Sequence, residues 1–316
     1  MTLREFEKQW QDENNFIIAC SSGSSGEPKE IQLYKSDMIK SALSTLEFFN
    51  IERGERFFCP MDFKYIGAKM MYVRAAISGG ELLTTEPSNN FEVPDRIALM
   101  AVVPSQVECL VKDENLASKV KTLIIGGASL SRRLENELLR LGVNAFKTYG
   151  MTETSSHVAL AKVGTDIYKA LSGVQFFTDE NNCLIINIPD RHSNCVRTND
   201  VVELINNQNF RYIGRFDNVI NSGGIKIHPE ALEREIKRIL NEANITFNDL
   251  MVHGEHSDLW GTQAVCKIDV TKQLNESEIA QIYKLLKAKL SDSKQAPKKI
   301  YCGQIEKTPN GKIKRS

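Results

Sequence analysis

Short apolar runs alternate with amphipathic segments along the first two thirds of the chain. Residues 96–103 (RIALMAVV) and 120–125 (VKTLII) have the length and the continuous apolar character of buried strands. Between the second run and a third strand that begins at 143–146, residues 131–141 place leucines among charged side chains, as an amphipathic helix does, with Ser131 as its N-cap. Strand, glycine turn, helix and strand in this order predict a mostly parallel sheet that binds ligands at the carboxyl ends of its strands.

The pattern changes near residues 215–217. A hairpin is predicted over 201–213, and after the change Pro229 is placed to begin a helix that runs to about residue 240. Two short strands follow, and then Asn275 with Glu278 forms a capping box for a second helix. This last part, about a hundred residues long, predicts a compact α+β domain that can fold alone.

The predicted fold class is therefore α/β, with a large N-terminal domain of mostly parallel strands and flanking helices, followed by a small α+β domain. We place the large domain at residues 1–214, a hinge at 215–217 and the small domain at 218–316. The length of 316 residues agrees with more than one core.

Composition excludes several classes of protein. Forty basic residues balance forty acidic ones, so no overall field attracts nucleic acid or an anionic membrane. No apolar stretch reaches the length of a membrane span, and the charged N-terminus lacks a signal-peptide core. The seven cysteines are scattered and contain no C-x-x-C pair, which fits neither a zinc site nor a disulfide framework. We expect a cytoplasmic protein with no nucleic-acid partner and no membrane span.

Residues 21–29 (SSGSSGEPK) raise the first question of chemistry. One interpretation is a flexible linker or an expression scar. The other is a phosphate cradle, in which small residues let backbone N–H groups face an anion, hydroxyls donate as well and Lys29 supplies a charge. It is not a Walker A loop, because no Gly-Lys-Ser/Thr follows at the required spacing. Taken alone, these residues leave both interpretations open.

Further candidate stretches follow along the chain. Residues 148–154 (TYGMTET) come just after a predicted strand and combine an aromatic face, a glycine, hydroxyls and a carboxylate, which suit a base, a phosphate and a metal ion. The others are 214–220 (GRFDNVI), 222–230 (SGGIKIHPE) and 307–315 (KTPNGKIKR). With 21–29, and in this order, they resemble the adenylate-forming superfamily, which comprises acyl- and aryl-CoA ligases, adenylation domains of peptide synthetases and luciferases. The resemblance spans residues 16–316.

The resemblance implies an enzyme that uses ATP and Mg²⁺ to adenylate a carboxylic acid and then transfers the acyl group to coenzyme A. The β- and γ-phosphates would be held by Ser21, Ser22, Gly23, Ser24, Ser25, Gly26 and Lys29. The remaining nucleotide-binding residues would be Gly126, Gly127 and Ala128 at the adenine, Tyr149 stacked on it, the adjacent Gly150, Thr152 at a phosphate, and Asp200 with Arg215 at the ribose. Glu153 would ligate Mg²⁺.

The resemblance also implies that the small domain is mobile and rotates about Asp217. Gly223 and Gly224 would line the passage for the pantetheine arm of coenzyme A, with Lys226 near phosphate. Lys312 would meet the α-phosphate and the attacking carboxylate, and would be catalytic together with Thr152 and Glu153. Because this attack brings anion to anion, a lysine and Mg²⁺ are needed to neutralise the developing charge.

The acid is indicated by residues 62–74, which occupy the stretch where the acyl pocket begins in the superfamily. Arg74 lies in an otherwise mostly apolar helical run, where an isolated arginine would more often extend its charged end to solvent. Its placement nevertheless resembles the o-succinylbenzoate–CoA ligases of menaquinone biosynthesis, in which an arginine of this helix meets the second carboxylate of the substrate. Lys69 is a second candidate for that contact, and His157 would border the acyl pocket.

The chain departs from the superfamily in several places. Members usually carry a long segment before the phosphate loop, whereas here the loop begins at Ser21; the wall of the acyl site that this segment forms would then be open or supplied by another subunit, which leaves a homodimer open. Ser25 replaces the usual threonine, and Thr-Asn-Asp at 198–200 replaces Thr-Gly-Asp. Two alternatives remain: an aryl or acyl adenylating enzyme that loads a carrier protein, and a catalytically silent nucleotide-binding relative. The presence of both Lys312 and Glu153 argues against the silent relative.

Overall fold

The computed structural model describes residues 1–20, 30–307 and 313–315. Its α-helices are α1 (Leu3–Gln11), α2 (Lys35–Phe48), α3 (Ile66–Ser78), α4 (Pro104–Leu110), α5 (Leu116–Lys119), α6 (Arg132–Arg140), α7 (Pro229–Glu242) and α8 (Glu276–Lys289). Its strands are β1 (Phe16–Cys20), β2 (Glu30–Tyr34), β3 (Arg56–Cys59), β4 (Glu81–Thr84), β5 (Leu99–Val102), β6 (Leu123–Ile125), β7 (Ala145–Met151), β8 (Ser156–Lys162), β9 (Ile167–Ala170), β10 (Gln175–Thr178), β11 (Cys183–Asn187), β12 (Cys195–Asn206), β13 (Asn209–Arg215), β14 (Ile220–Ser222), β15 (Ile225–Ile227), β16 (Asp249–Ser257), β17 (Gly261–Asp269) and β18 (Lys299–Cys302).

The chain divides into two compact units. The first comprises Met1–Phe177, Ile185–Arg197 and Leu204–Arg211, and the second comprises Thr178–Leu184, Thr198–Glu203 and Tyr212–Ser316. Strands β10, β11, β12 and β13 therefore contribute residues to both units. The sequence boundary at 215–217, and the hinge placed there, stay predictions.

A mixed sheet forms the framework of the first unit, with strand order β10-β11-β12-β13-β9-β8-β7-β6-β5-β3-β4. From β4 to β7 all pairings are parallel, and α6 connects β6 to β7, so the expected α/β class is confirmed. The pairings of β7 with β8, β8 with β9 and β9 with β13 are antiparallel. The parallel part ends at β7 because a tight turn joins β7 to β8, whereas a parallel neighbour needs a long crossover connection.

The core of the parallel part comes from the predicted apolar runs. Every residue of β5 and β6 is buried, and both strands pack with Leu134 and Leu138 of α6. Ser131 caps α6 as expected: its Oγ accepts a hydrogen bond from the Leu134 N–H at 3.3 Å. The carboxyl ends of β5, β6 and β7 therefore lie at one edge of the sheet, where ligands bind in such folds.

Residues 148–154 differ from the sequence prediction, which placed them past a strand end. Residues 148–151 continue β7, because β8 folds back and pairs Thr148 with Leu160 and Met151 with Ser156. Only residues 152–154 of this stretch lie in a turn, where they form the 3₁₀ segment Thr152–Thr154.

The second unit has its own sheet, β15-β14-β17-β16, with β18 parallel to β17. Pro229 opens α7, and Asn275 caps α8 with the predicted capping box to Glu278. Apolar residues of both helices pack on this sheet as a separate core. Within residues 1–20, 30–307 and 313–315, no helix combines the length and the apolar composition needed to cross a bilayer.

Candidate functional site

The glycine segment after β6 lies at the carboxyl edge of the sheet. The Gly126 N–H donates to the Val102 carbonyl oxygen at 3.0 Å, and β6 runs parallel to β7. A Cβ at Gly126 would overlap the Thr148 Oγ1, so glycine is required for this close approach. Gly127 has a φ of +89°, which glycine adopts without strain. The predicted adenine segment 126–128 therefore lies beside the end of β7.

Tyr149, near the end of β7, is half-buried in an aromatic cluster. Its ring centroid is 5.0 Å from that of Phe210 and 5.8 Å from that of Tyr168, both edge to face. The strand register shifts between Tyr149 and Gly150. A Cβ at Gly150 would overlap the backbone of the next strand, so glycine allows β8 to fold back here.

The turn between β7 and β8 carries strained backbone. Ser155 and Ser156 have φ values of 56° and 114°, a region that costs about 1–3 kcal/mol for a residue other than glycine. The Thr154 hydroxyl donates to the Ser156 carbonyl oxygen at 2.6 Å and so braces the turn from inside. The same turn carries Thr152 and Glu153, the candidates for phosphate and Mg²⁺. Strain of this kind is concentrated at functional sites.

The donor set at this turn fits Mg²⁺ rather than a metal held by protein alone. Glu153 is partly exposed and Thr152 is buried. No cluster of three or more His, Cys, Asp or Glu side chains that could hold a metal occurs within the part of the chain that the structure describes. Mg²⁺ in nucleotide-dependent enzymes is bound by one or two carboxylates together with the phosphates of the substrate, so one carboxylate is sufficient here.

Arg74 of α3 is fully buried, with 1% of its surface exposed. Its Nη2 donates to the Ser156 Oγ at 3.4 Å and its Nη1 approaches the Met71 Sδ at 3.8 Å, whereas Nε has no partner among the described residues. Burial lowers the pKa of Arg74 to about 9. The expectation that an isolated arginine here extends to solvent is therefore wrong, because α3 is covered along most of its surface.

His157 is buried near Arg74. Its Nε2 lies 3.1 Å from the Thr45 Oγ1, which also donates to the Ser41 carbonyl oxygen at 3.1 Å. Because the hydroxyl proton is engaged there, the histidine proton is assigned to Nε2. Burial, and then the positive charges of Arg74 and Arg191, lower the pKa of His157 well below its usual value. His157 is therefore neutral at physiological pH.

Lys69 does not lie beside Arg74 and His157. It lies five positions before Arg74, which on an α-helix turns its side chain by about 140°. Lys69 is 2% exposed, and its Nζ lies 5.8 Å from the centre of the Phe6 ring of α1. Burial lowers the pKa of Lys69. The structure thus brings Arg74 and His157 together and turns Lys69 towards α1.

In the second unit, Arg215 contacts both predicted neighbours. Its Nη1 donates to the Asp200 Oδ1 at 3.3 Å and its Nη2 to the Asp217 Oδ2 at 2.7 Å. Burial alone would lower the pKa of Arg215, but the Asp217 hydrogen bond and the charges of Asp200 and Asp217 raise it. Asn199, which replaces the usual glycine, donates from Nδ2 to the Asp217 Oδ1 at 3.0 Å. The ribose candidates and the hinge candidate thus form one hydrogen-bonded group.

The two glycines predicted to line the coenzyme A passage both have positive φ, 57° at Gly223 and 84° at Gly224. A Cβ at Gly223 would lie 2.5 Å from the Trp260 ring, which therefore packs directly on the backbone. Lys226 is exposed on the neighbouring strand β15. The residues predicted to bind the β- and γ-phosphates, 21–29, and the catalytic candidate Lys312 lie outside the described residues.

Three polar residues that contact the turn and His157 were not predicted from the sequence. Ser156 accepts from Arg74, Thr45 accepts from His157, and Arg191 donates from Nη1 to the Thr154 carbonyl oxygen at 2.8 Å. Ser41 and Thr45 stand four positions apart on the buried face of α2, where residues at this spacing are neighbours. Nothing in the local sequence indicates the contact of Arg191, because its partner is distant along the chain.

The chain is similar to several known proteins. The family of AMP-binding enzymes matches residues 3–189. The 2-succinylbenzoate–CoA ligase of Listeria monocytogenes is 22% identical over 342 aligned residues, which cover 99% of this chain and 71% of that protein.

Two solved structures resemble the fold. An acyl-CoA synthetase (AMP-forming)/AMP-acid ligase II-like protein from Dyadobacter fermentans has a TM-score of 0.63 and 29% identity, and the match covers 98% of this chain and 90% of that chain. The o-succinylbenzoate CoA synthetase of Bacillus subtilis, in complex with its acyl-adenylate intermediate, has a TM-score of 0.79 and 18% identity over 94% of this chain and 67% of that chain. At that identity the likeness shows the fold alone. Because the family match covers more than half of its length, the chain belongs to the family of AMP-binding enzymes.

Proposed function

We propose that the protein is an ATP-dependent carboxylate–CoA ligase that acts through an acyl-adenylate, with o-succinylbenzoate as its acid and AMP and pyrophosphate as co-products. The observation that carries this proposal is the buried Arg74. Within the described residues no acidic side chain pairs with it, and its hydrogen bond to Ser156 joins it to the turn that bears Thr152 and Glu153. A substrate with a second carboxylate supplies the missing negative charge, and a monocarboxylate leaves the arginine uncompensated.

The acid is also supported by the Listeria relative, which is named 2-succinylbenzoate–CoA ligase and aligns with almost the whole of this chain. In the proposal the neutral His157 borders the acyl group beside Arg74. Lys69, which is turned towards α1, is the second candidate for the carboxylate contact.

The nucleotide roles are those that the resemblance to adenylate-forming enzymes implies. Gly126, Gly127 and Ala128 contact the adenine and Tyr149, followed by Gly150, stacks on it. Asp200 and Arg215, which are already hydrogen-bonded, hold the ribose. The residues at 21–29 bind the β- and γ-phosphates.

The adenylation step needs positive charge on the α-phosphate while the acid attacks and pyrophosphate leaves. Lys312 supplies part of this charge and Thr152 donates to a phosphate oxygen. Glu153 holds Mg²⁺, which neutralises phosphate charge when it is bound. The second step uses coenzyme A, admitted past Gly223 and Gly224 with Lys226 at a phosphate.

The domain proposal assigns residues 1–214 to the nucleotide and acid, and 218–316 to a mobile small domain that rotates at Asp217 between the two steps. A homodimer is the proposed assembly. The cytoplasm is the proposed compartment. All seven cysteines, each within the described residues, are free, which suits reducing conditions.

The test is to measure AMP, pyrophosphate and acyl-CoA produced from ATP and Mg²⁺ with o-succinylbenzoate, benzoate or a medium-chain fatty acid, with and without coenzyme A. We expect AMP and thioester with o-succinylbenzoate only, and a loss of pyrophosphate release by orders of magnitude in Lys312→Ala. Pyrophosphate without thioester would point to a carrier protein as the acceptor. No product with any of the acids would contradict the proposal and favour a silent relative.

A further inference from the structure

The turn between β7 and β8 needs support from outside itself. Ser155 and Ser156 both have positive φ, and such backbone persists only where surrounding groups hold it in place. The Ser41 hydroxyl reaches the Ser155 carbonyl oxygen only at 3.4 Å. By contrast, the Arg191 Nη1 donates to the Thr154 carbonyl oxygen at 2.8 Å. Arg191 therefore makes the shorter bond to the backbone of this turn, and makes it with a charged donor.

Arg191 is an unusual residue for a purely structural contact. It follows β11 in a connecting segment, yet only 7% of its surface is exposed. Loops seldom bury a cation, because removing the charge from water is unfavourable unless other groups compensate. Burial lowers the pKa of Arg191, and the negative charge of Asp37 opposes this shift.

Asp37 fixes the chain next to Arg191. It lies in the first turn of α2 and is buried, and its two carboxylate oxygens accept from the His192 N–H and the His192 Nδ1, each at 3.0 Å. The His192 ring in turn stacks on Tyr34 with centroids 3.8 Å apart. The backbone at residue 192 is thus clamped to α2, which limits where the guanidinium of residue 191 can reach.

The geometry points to Arg191 as a positioning residue for acyl-adenylate formation, with Asp37 holding it in place. By fixing the Thr154 carbonyl, Arg191 fixes the turn that presents Thr152 and Glu153 to the phosphates and Mg²⁺. This inference rests on the proposed function for the roles of those two residues. Arg191 itself touches neither substrate nor metal.

The experiment compares wild type with Arg191→Met, Arg191→Lys and the exposed control Arg133→Met, whose ion-pair partner is the surface residue Glu108. Three quantities are measured: pyrophosphate release with o-succinylbenzoate, thioester formation from supplied acyl-adenylate, and amide hydrogen exchange of residues 151–157 without ligands. The third readout does not depend on the proposed function. Asp37→Asn is the second variant, in case Arg191→Met does not fold.

For Arg191→Met we expect the rate of pyrophosphate release to fall by about tenfold to a hundredfold, as for a displaced catalytic group. Thioester formation from supplied adenylate stays near wild type, and exchange at 151–157 becomes faster. Arg191→Lys recovers part of the lost rate, and so does guanidinium added to Arg191→Met. Asp37→Asn shows the same loss of pyrophosphate release and the same faster exchange as Arg191→Met, but to a smaller extent. Arg133→Met resembles wild type throughout.

Unchanged exchange at 151–157 in Arg191→Met would overturn the inference, whatever the activity. So would equal losses in the two half-reactions, because a general loss of folded protein affects both. If wild type forms no adenylate with any acid, the proposed function fails on its own, and the exchange measurement still decides whether Arg191 holds the turn.

Discussion

Two arginines, the fully buried Arg74 of the first unit and the partly buried Arg315 of the second, differ in their partners. In the first unit Arg74 has its Nε unpartnered among the described residues, and burial lowers its pKa to about 9. In the second unit Arg315 donates from Nη2 to the Glu233 Oε2 at 2.7 Å and from Nη1 to the Val252 carbonyl oxygen at 2.9 Å. Burial alone would lower the pKa of Arg315, but the hydrogen bond and charge of Glu233 raise it.

Under the proposed function, this difference separates a cation with a structural role from one that binds a carboxylate of the substrate. A buried cation that already has its carboxylate needs nothing further, and its role is to hold the segment that bears it. A buried cation without one is unfavourable in the free protein and favourable once an anion arrives. The strained Ser155–Ser156 backbone beside Arg74 is a second unfavourable feature at the same place, as expected where binding and stability compete.

The largest effect is expected for the ion pair between Arg315 and Glu233. Glu233→Ala would leave the partly buried Arg315 with only the Glu230 carboxylate, 3.6 Å from its Nε, and would leave the Val252 N–H without its acceptor. We therefore expect the free energy of unfolding of the second unit to fall by about 3 kcal/mol, measured by chemical denaturation. Glu242→Ala, which removes an exposed ion pair with Arg238 on the same helix, is the control and should stay close to wild type. A small effect of Glu233→Ala would show that the pair does not hold this unit.

For Arg74, we expect a substitution to change the free energy of unfolding in the opposite direction. Arg74→Met replaces an uncompensated charge by an apolar side chain of similar length, so we expect the ligand-free protein to become more stable by about 1–3 kcal/mol. Equilibrium denaturation measures this change, and the exposed Arg140→Met is the matched control. Destabilisation by Arg74→Met would mean that the guanidinium already has sufficient partners in the free protein.

The neutral His157 beside Arg74 should make stability depend on pH. Its pKa is lowered in the folded state, so below about pH 6.5 the unfolded chain takes up a proton that the folded site does not. The contribution of His157 is therefore present above pH 6.5 and lost as the pH falls, by at most about 1.4 kcal/mol per pH unit. Denaturation between pH 7 and pH 5 should show a shallower slope for His157→Gln than for wild type. Equal slopes for wild type and His157→Gln would contradict a buried neutral histidine.

The smallest effect concerns the strained turn. Ser155→Gly removes the side chain at a φ of 56°, and we expect a gain of about 0.5–1 kcal/mol in thermal or chemical unfolding. Asn182 has a similar φ of 58°, but asparagine tolerates that region, so Asn182→Gly should change little. Equal gains at both positions would mean that the turn at Ser155 holds no special strain.

The sequence was sufficient for elements with strong periodicity and clear end signals. The buried strands β5 and β6, the Ser131 cap of α6 and the Pro229 start of α7 all follow from side-chain patterns within a few residues. These features are local, so single-chain reasoning can reach them.

What the sequence could not supply depends on distant partners. The extension of β7 through Met151 requires β8 to fold back on it, and the burial of Arg74 requires β8 to cover the same face of α3. The Arg191 contact joins residues 37 positions apart in sequence. Neither hydrophobic periodicity nor motif spacing encodes such pairings.

The role of Arg74 is tested most directly by the preference for a dicarboxylate substrate. The measured quantity is the ratio of kcat/KM for o-succinylbenzoate to that for benzoate, in wild type and in Arg74→Met. Lys69→Met is the matched control on the same helix. If Arg74 binds the second carboxylate of the substrate, the ratio should fall by about 30-fold or more in Arg74→Met. This corresponds to about 2 kcal/mol or more for a lost buried charge contact. It should change much less in Lys69→Met. An unchanged ratio in Arg74→Met, or a collapse only in Lys69→Met, would contradict the role assigned to Arg74.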